Sequence, residues 1–135
     1  MVENSSNDKD KIKHFTFLNT NARSLCPKLE SLLIAVEETS AALAIVTETW
    51  MRDGEELENV RDDLSEGHGL DMICRNRPVG DNGLAHGGVA VLYKKDLLNL
   101  KQIEIGNTEG FEVVGALGNI RGISRKLLVL ACYPP

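Results

Sequence analysis

The alternation of apolar and polar residues predicts a strand, a helix and a second strand in the first part of the chain. Residues 14–19 (HFTFLN) alternate before the pattern becomes apolar, as in a strand that enters a core from an edge. Apolar residues recur at helical spacing over residues 29–36, and Pro27 suits the first turn of that helix. Residues 42–47 (ALAIVT) predict a strand covered on both faces. Together they predict a βαβ unit with a right-handed crossover.

The second part of the chain follows a different pattern. Residues 50–70 are strongly polar, with a weakly amphipathic helix predicted over 55–64, which is typical of an excursion over the surface. Short apolar runs separated by turn residues come next: DMICR, GGVAVLYK, LKQIEI, FEVVGALGNI and KLLVLACY. They predict an antiparallel meander. A βαβ unit followed by hairpins fits either one sheet of mixed direction or two sheets packed face to face with helices outside.

The two ends of the chain lead to different predictions. Residues 1–13 are polar and charged, which predicts a disordered lead-in before the folded part at 14–135. The last run, KLLVLACYPP, has the composition of a core strand, and no element that would cover it follows in this sequence. We therefore expect the N-terminal half of a larger domain.

Composition and charge narrow the classes of protein to which this sequence can belong. The 135 residues are 42% hydrophobic and 26% charged, as expected for one globular domain. A net charge of −5 argues against binding nucleic acid by neutralising many phosphates, but it is compatible with an enzyme that brings a metal ion to the phosphate. No apolar run approaches the roughly 20 residues of a membrane span. Cys26, Cys74 and Cys132 follow no CxxC spacing. We expect a soluble intracellular protein with reduced, buried thiols and no membrane partner.

Polar residues follow the two strands of the predicted βαβ unit. Asn19 and Asn21 come at the end of the first strand, and Glu48 comes directly after the second. Because parallel strands end at the same edge of a sheet, these side chains are expected where α/β proteins bind ligands. A carboxylate beside amide oxygens suits Mg²⁺ completed by water and substrate phosphate. Asparagine after a strand is also a common turn former or helix cap, whereas Glu48 is costly to bury unless it is paired or metal-bound.

Five segments resemble, in order and spacing, the opening half of the endonuclease domain of LINE-type (non-LTR) retrotransposons: LNTNARSL, PKLESLL, LAIVTETW, GGVAVLYK and LVLACYPP. That domain belongs to the endonuclease/exonuclease/phosphatase superfamily, and the resemblance covers residues 14–135. It implies an α/β fold, a truncated portion of a four-layer α/β sandwich in which two mixed sheets are flanked by helices. It also implies a Mg²⁺-dependent hydrolase that cleaves phosphodiester bonds in DNA.

The resemblance implies roles for four residues. Glu48 matches the glutamate that binds the catalytic Mg²⁺, with Mn²⁺ as an alternative ion, and Asn21 matches a polar residue that supports the metal. Asn19 matches the asparagine that helps to hold the scissile phosphate and the attacking water. Tyr133 matches a tyrosine near the phosphate. The implied partners are DNA and a downstream reverse transcriptase region of the same polyprotein, and the implied compartment of an active element is the nucleus.

The later machinery of the family has no match in this sequence. The G-D-x-N and S-D-H blocks are absent, and His14, His68 and His86 lie too early to replace the family's histidine. We therefore expect a fragment of an endonuclease that nicks target DNA for retrotransposition, without activity on its own. Two alternatives stay open: a phosphatase of the same superfamily, and a non-enzymatic remnant or interaction module.

Three further features invite a functional interpretation. Gly87 and Gly88 precede an apolar run without a following GK[ST], which favours a tight entry into a central strand over a phosphate loop. Arg75 and Arg77 either meet a DNA backbone from a loop or are simply solvated. His86 is expected on the surface, in the loop before this strand.

Overall fold

The structure of the protein is a computed structural model that describes residues 15–81, 83, 86–106 and 108–134. The predicted lead-in at residues 1–13 and His14 lie outside the described residues. Within them the elements are β1 (Phe17–Asn21), α1 (Leu29–Thr39), β2 (Leu43–Thr47), α2 (Glu55–His68), β3 (Leu70–Arg75), β4 (Val89–Lys94), β5 (Leu98–Ile103), β6 (Glu112–Ile120) and β7 (Lys126–Tyr133). A 3₁₀ turn, Cys26–Lys28, leads into α1.

The strands form two sheets. The four-stranded sheet has the order β1-β2-β4-β3, in which β1 and β2 are parallel and β4 is antiparallel to both of its neighbours. The three-stranded sheet is antiparallel, in the order β5-β6-β7. The predicted strand, helix and strand are present as β1, α1 and β2. The predicted meander is wrong in part, because β3 and β4 join the first sheet and only β5 to β7 form a meander.

Two apolar layers hold these elements together. One lies between the helices and the four-stranded sheet and includes Leu33 and Leu64, and the other lies between the two sheets and includes Val114. Alternation along β4 serves both layers, since Leu92 packs with the helices and Val91 packs against the second sheet. The α/β class and the two packed sheets are therefore confirmed. Within the described residues the second sheet is antiparallel rather than mixed, and both helices cover the first sheet.

The outer face of the three-stranded sheet exposes large apolar side chains of β7. Leu128 and Leu130 of β7 are 54% and 52% exposed, and they pair with Leu117 and Gly115 of β6 on the same face. Within the described residues β7 is also an edge strand. An uncovered apolar sheet face is the feature expected of a portion of a larger sandwich.

β1 and α2 both extend further than their sequence patterns predict. β1 ends at Asn21 rather than at residue 19, because its pairing with β2 continues to Thr47. α2 continues past residue 64 to His68, and it is more than a surface excursion, since Val60 and Leu64 are buried against the first sheet. In the part of the chain that the structure describes, neither helix has the length and apolar character needed to cross a membrane.

The three cysteines are free thiols, but the prediction that they are buried is wrong. Cys26 and Cys132 are exposed, and Cys74 is partly buried. Cys26 begins the 3₁₀ turn, where the chain runs over the surface before α1. Cys132 alternates with the buried Ala131 along β7, and so it lies on the outer face of the sheet.

Candidate functional site

Asn21 and Glu48 are brought together by the parallel strands β1 and β2. Asn21 is the last residue of β1 and pairs in register with Thr47, the last residue of β2. Glu48 follows Thr47 directly, so both side chains lie at the same edge of the sheet. The side-chain N–H of Asn21 donates a hydrogen bond to Glu48 Oε2. The structure thus joins two of the residues singled out in the sequence.

Glu48 lies in a turn whose backbone is strained. Glu48 and Trp50 both have a φ of 53°, a left-handed conformation that costs non-glycine residues on the order of 1–2 kcal/mol. Backbone hydrogen bonds to two neighbouring loops hold the turn in place. They are donated by Ser24 N to Glu48 O at 2.9 Å, by Leu25 N to Thr49 O at 2.8 Å and by Trp50 N to Gly87 O at 2.9 Å. Strain that the surrounding fold maintains is typical of functional sites.

Tyr133 reaches the same site from the second sheet. It is the last residue of β7, and its hydroxyl has a hydrogen-bonding interaction with Glu48 that is the main cause of a raised pKa for Tyr133. Partial desolvation and the negative charge of Glu48 raise that pKa further. Because β7 and β2 belong to different sheets, this contact depends on how the two sheets pack.

The carboxyl group of Glu48 is held in its ionised form. Its hydrogen bond from Asn21 is the main cause of a pKa below the ordinary value for glutamate, and Tyr133 and Arg23 shift the pKa in the same direction. Partial desolvation opposes this shift without reversing it. At neutral pH the strand ends therefore present a negative charge that is supported by hydrogen-bond donors.

Comparison with solved structures shows which fold this is. The chain matches the structure described as "Endonuclease domain of TRAS1, a telomere-specific non-LTR retrotransposon", with a TM-score of 0.54 and 16% identity. The chain has the fold of that endonuclease domain. The match covers 88% of this chain and 45% of the TRAS1 chain, so this chain spans less than half of that length. No protein-family model matches the sequence, and no curated protein matches it significantly.

Asn19 lies inside β1 of the endonuclease fold rather than at its end. It pairs with Ile45 of β2, two residues before Asn21 and on the same face of the strand. Its side chain is exposed and forms no hydrogen bond within the described residues. The prediction that Asn19 closes the strand is therefore wrong. Asn19 is separated by roughly 7 Å along the strand from the cluster that Asn21, Glu48 and Tyr133 form.

Arg77 belongs to a structured junction beside this cluster. Its Nη2 lies 3.1 Å from Oε1 of Glu112, and its Nε–H donates to Oε2 of the same residue at 3.2 Å. Glu112 also accepts a hydrogen bond from the backbone N–H of Gly88 at 3.2 Å. The hydrogen bond with Glu48 is the main cause of the raised pKa of Tyr133, whereas the positive charge of Arg77 lowers that pKa. Arg77 is thus held near the site, whereas Arg75 is exposed at the end of β3.

Arg23, Trp50 and Glu112 are members of the site region that sequence reasoning did not select. Arg23 follows the N-x-N segment and Trp50 ends the T-E-T-W segment, so each lies two residues after a predicted site residue. Glu112 begins β6 and comes near the strand ends only through packing of the second sheet. The charge of Arg23 so close to Asn21 was a signal that could have identified this residue, but no local pattern indicates Glu112.

The donor atoms at the strand ends fit a hard cation that few protein groups hold. Glu48 supplies a carboxylate, and Asn21, which supports that carboxylate through its side-chain N–H, carries an amide oxygen as well. Among the described residues there is no group of three or more His, Cys, Asp or Glu residues that would hold a metal. Mg²⁺ commonly takes one or two protein oxygens and completes its shell with water and substrate phosphate. A carboxylate beside an amide oxygen fits that mode of binding.

The interaction between Tyr133 and Glu48 leads to a prediction about titration. The chain has two tyrosines, and Tyr93→Phe leaves Tyr133 as the only one to follow by ultraviolet absorbance. Glu48→Gln removes the carboxylate charge, so the pKa of Tyr133 is expected to fall toward its ordinary value. Glu66→Gln, an exposed change on α2, is expected to leave the titration unchanged. Identical Tyr133 titration in the Glu48 variant would show that the two groups do not interact.

Proposed function

We propose that this chain forms the metal-holding and phosphate-facing part of a Mg²⁺-dependent DNA endonuclease. The observation that supports it most directly is the meeting of Asn21, Glu48 and Tyr133 at strand ends, in a fold shared with an endonuclease domain. The proposed reaction is hydrolysis of a phosphodiester bond in DNA. Its proposed context is target-site nicking for retrotransposition in the nucleus, with a reverse transcriptase region as partner.

Each residue of the cluster has a role that follows from its chemistry. Glu48 and Asn21 would hold Mg²⁺, or Mn²⁺ in its place, through a carboxylate and an amide oxygen. The bound ion would stabilise the negative charge that develops on the phosphate during hydrolysis. Tyr133 would donate a hydrogen bond from its hydroxyl to a phosphate oxygen. Asn19 would offer its amide N–H to the phosphate or to the attacking water from the same face of β1.

The distribution of charge favours one direction of approach for DNA. An open groove of about 850 Å³ lies between α1 and α2. Among the described residues, its lining includes no Lys or Arg, but it includes five acidic side chains: Glu30, Glu37, Glu38, Asp63 and Glu66. This groove lies on the helical side of the first sheet and repels phosphate. Arg75 ends β3 at the same edge as Thr47 of β2, because both residues pair with Val89. DNA would therefore approach the strand ends.

Cleavage and binding assays test this proposal. The chain alone is expected to leave supercoiled plasmid intact, because its sequence lacks the later catalytic blocks of the family. It is nevertheless expected to bind a DNA duplex more tightly with Mg²⁺ than with EDTA. Glu48→Gln is expected to remove the Mg²⁺-dependent part of the binding, whereas Glu66→Gln, with the same change of charge in the groove between α1 and α2, is expected to retain it.

The other outcomes separate the alternatives. Duplex binding that responds neither to Mg²⁺ nor to Glu48→Gln would overturn the proposal and favour a non-enzymatic module. A phosphate monoester that displaces the duplex better than an equal concentration of a short DNA diester would favour a phosphatase. Plasmid nicking by the wild-type chain that Glu48→Gln abolishes would support the site but contradict the expected inactivity.

A further inference from the structure

Two aromatic rings stack beside the metal-holding cluster. The ring centroids of Trp50 and His86 are 4.5 Å apart, and the ring planes meet at 32°. Trp50 lies two residues after Glu48. Both residues belong to the same turn, which backbone hydrogen bonds hold in place. The stacked pair therefore lies beside the turn that carries Glu48.

The backbone positions this pair, and burial contributes little to it. The N–H of Trp50 donates to the carbonyl of Gly87 at 2.9 Å, and Gly87 directly follows His86. The left-handed conformation of Trp50 and the positive φ of Gly87, 84°, bring the two chain segments together. Trp50 is half-buried and His86 is exposed. The arrangement thus offers an aromatic ring to solvent on a fixed support.

The space beside the pair suits a flat ring better than a second phosphate. A small cleft of about 160 Å³ adjoins the rings, and its lining includes Ser24, Arg52 and Glu56. Arg52 is already paired with Glu56, with Nη2 and Oε2 3.6 Å apart and a backbone hydrogen bond from Arg52 N to Oε1 at 2.9 Å. Among the described residues that line the cleft, the one arginine is therefore already paired, and no free guanidinium group is present to attract a phosphate. Its aromatic wall and its hydroxyl group match the face and the edge of a nucleobase.

We propose that Trp50 and His86 form a stacking platform for an unpaired nucleobase next to the phosphodiester group that the Glu48 cluster would hold. The choice of a nucleobase rests on the proposed function. Aromatic side chains bind bases through their faces with little sequence preference, so the platform selects single-stranded or locally unpaired DNA over intact duplex. The base stacks on the open face of His86, while Trp50 supports the ring from below.

Binding of matched oligonucleotides tests the platform. The probes are a fluorescently labelled single-stranded DNA and a DNA of equal length that carries abasic sites at its internal positions. In EDTA the base-bearing DNA is expected to bind about fivefold or more tightly than the abasic DNA, as measured by anisotropy. It should also change the emission of Trp50, which is the one tryptophan of the chain. The abasic DNA should leave that emission nearly unchanged.

Three variants identify the residues responsible. The double change Trp50→Leu with His86→Ala is expected to remove the preference for base-bearing DNA. His86→Phe retains an aromatic ring and is expected to keep it. His68→Ala, an exposed histidine at the end of α2, serves as the matched control and is also expected to keep it. Circular dichroism of each variant establishes that the fold is retained.

The outcomes distinguish this inference from the proposed function. Equal binding of the two DNA probes by the wild-type chain would overturn the platform, even if Mg²⁺-dependent duplex binding is present. A preference that survives the double change would overturn it as well. Glu48→Gln is expected to keep the base preference in EDTA, because stacking does not use the carboxylate. Failure of the metal site would therefore leave the platform intact.

Discussion

Replacing Glu48 with glutamine is expected to abolish measurable binding of Mg²⁺ to the chain. Wild-type affinity should lie in the roughly millimolar range, because one carboxylate and one amide oxygen hold the ion with help from water. Glutamine keeps the size of the side chain and its hydrogen-bonding capacity, but it removes the only charge that Glu48 and Asn21 contribute. Isothermal titration with Mg²⁺, and electron paramagnetic resonance of free Mn²⁺, measure the loss. Wild-type affinity in this variant would place the ion elsewhere.

Asn21 adds a pH-dependent test of the same site. Its hydrogen bond is the main cause of the lowered pKa of Glu48, so the carboxylate stays ionised as the pH falls through the ordinary range for glutamate. Any stabilisation from this pair is present above the unfolded-state pKa and is lost as the pH falls through the lower, folded-state value. Asn21→Ala is expected to weaken Mg²⁺ binding by about tenfold and to shift its acid limit to higher pH. Asn59→Ala, at an exposed asparagine of α2, is the matched control.

Gly88→Ala is expected to destabilise the fold by about 2–6 kcal/mol and to weaken Mg²⁺ binding, because it combines backbone strain with overpacking. Gly88 has a φ of 91° at the entry to β4, and a Cβ atom there would clash with Thr49 Oγ1. Thr49 is 0% exposed and directly follows Glu48, so it has no room to retreat without moving the turn. The glycine pair predicted to give tight entry into a central strand thus also supports the site.

A second glycine separates the cost of backbone strain from the cost of overpacking. Gly54 has a φ of 96°, but a Cβ atom there would have no neighbour within 4 Å. Gly54→Ala is therefore expected to cost only the strain, about 1–3 kcal/mol, and to leave Mg²⁺ binding unchanged. Denaturant unfolding gives both free energies. Equal losses of stability in the two variants would show that the contact with Thr49 does not matter.

Local periodicity was sufficient to predict most elements, and it failed where burial did not shape the sequence. β2 and β4 are buried on both faces, so they form continuous apolar runs that are visible in the sequence. β1 is largely exposed at the edge of its sheet, and its polar residues gave no signal of where the strand ends. α2 shows only a narrow buried stripe at Val60 and Leu64, which made its length hard to predict.

The candidate site was predictable to different degrees. The contact between Asn21 and Glu48 follows from two parallel strands that end at one edge, which the βαβ pattern already indicated. Tyr133 was selected through resemblance, because nothing in its local sequence connects residue 133 to residue 48. Glu112 and the stacking of His86 on Trp50 escaped prediction, since both depend on loops and sheets that meet across long distances along the chain.

The α/β class, the elements around β1, α1 and β2, and the position of Glu48 at a strand end could all be predicted from the order of residues. These features follow from side-chain periodicity and turn chemistry, which act over a few residues. The position of β4 between β2 and β3 and the approach of Tyr133 to Glu48 from the second sheet became visible only in the folded protein. Strand order and sheet packing are settled by burial of apolar faces between distant segments, and no local pattern encodes which faces meet.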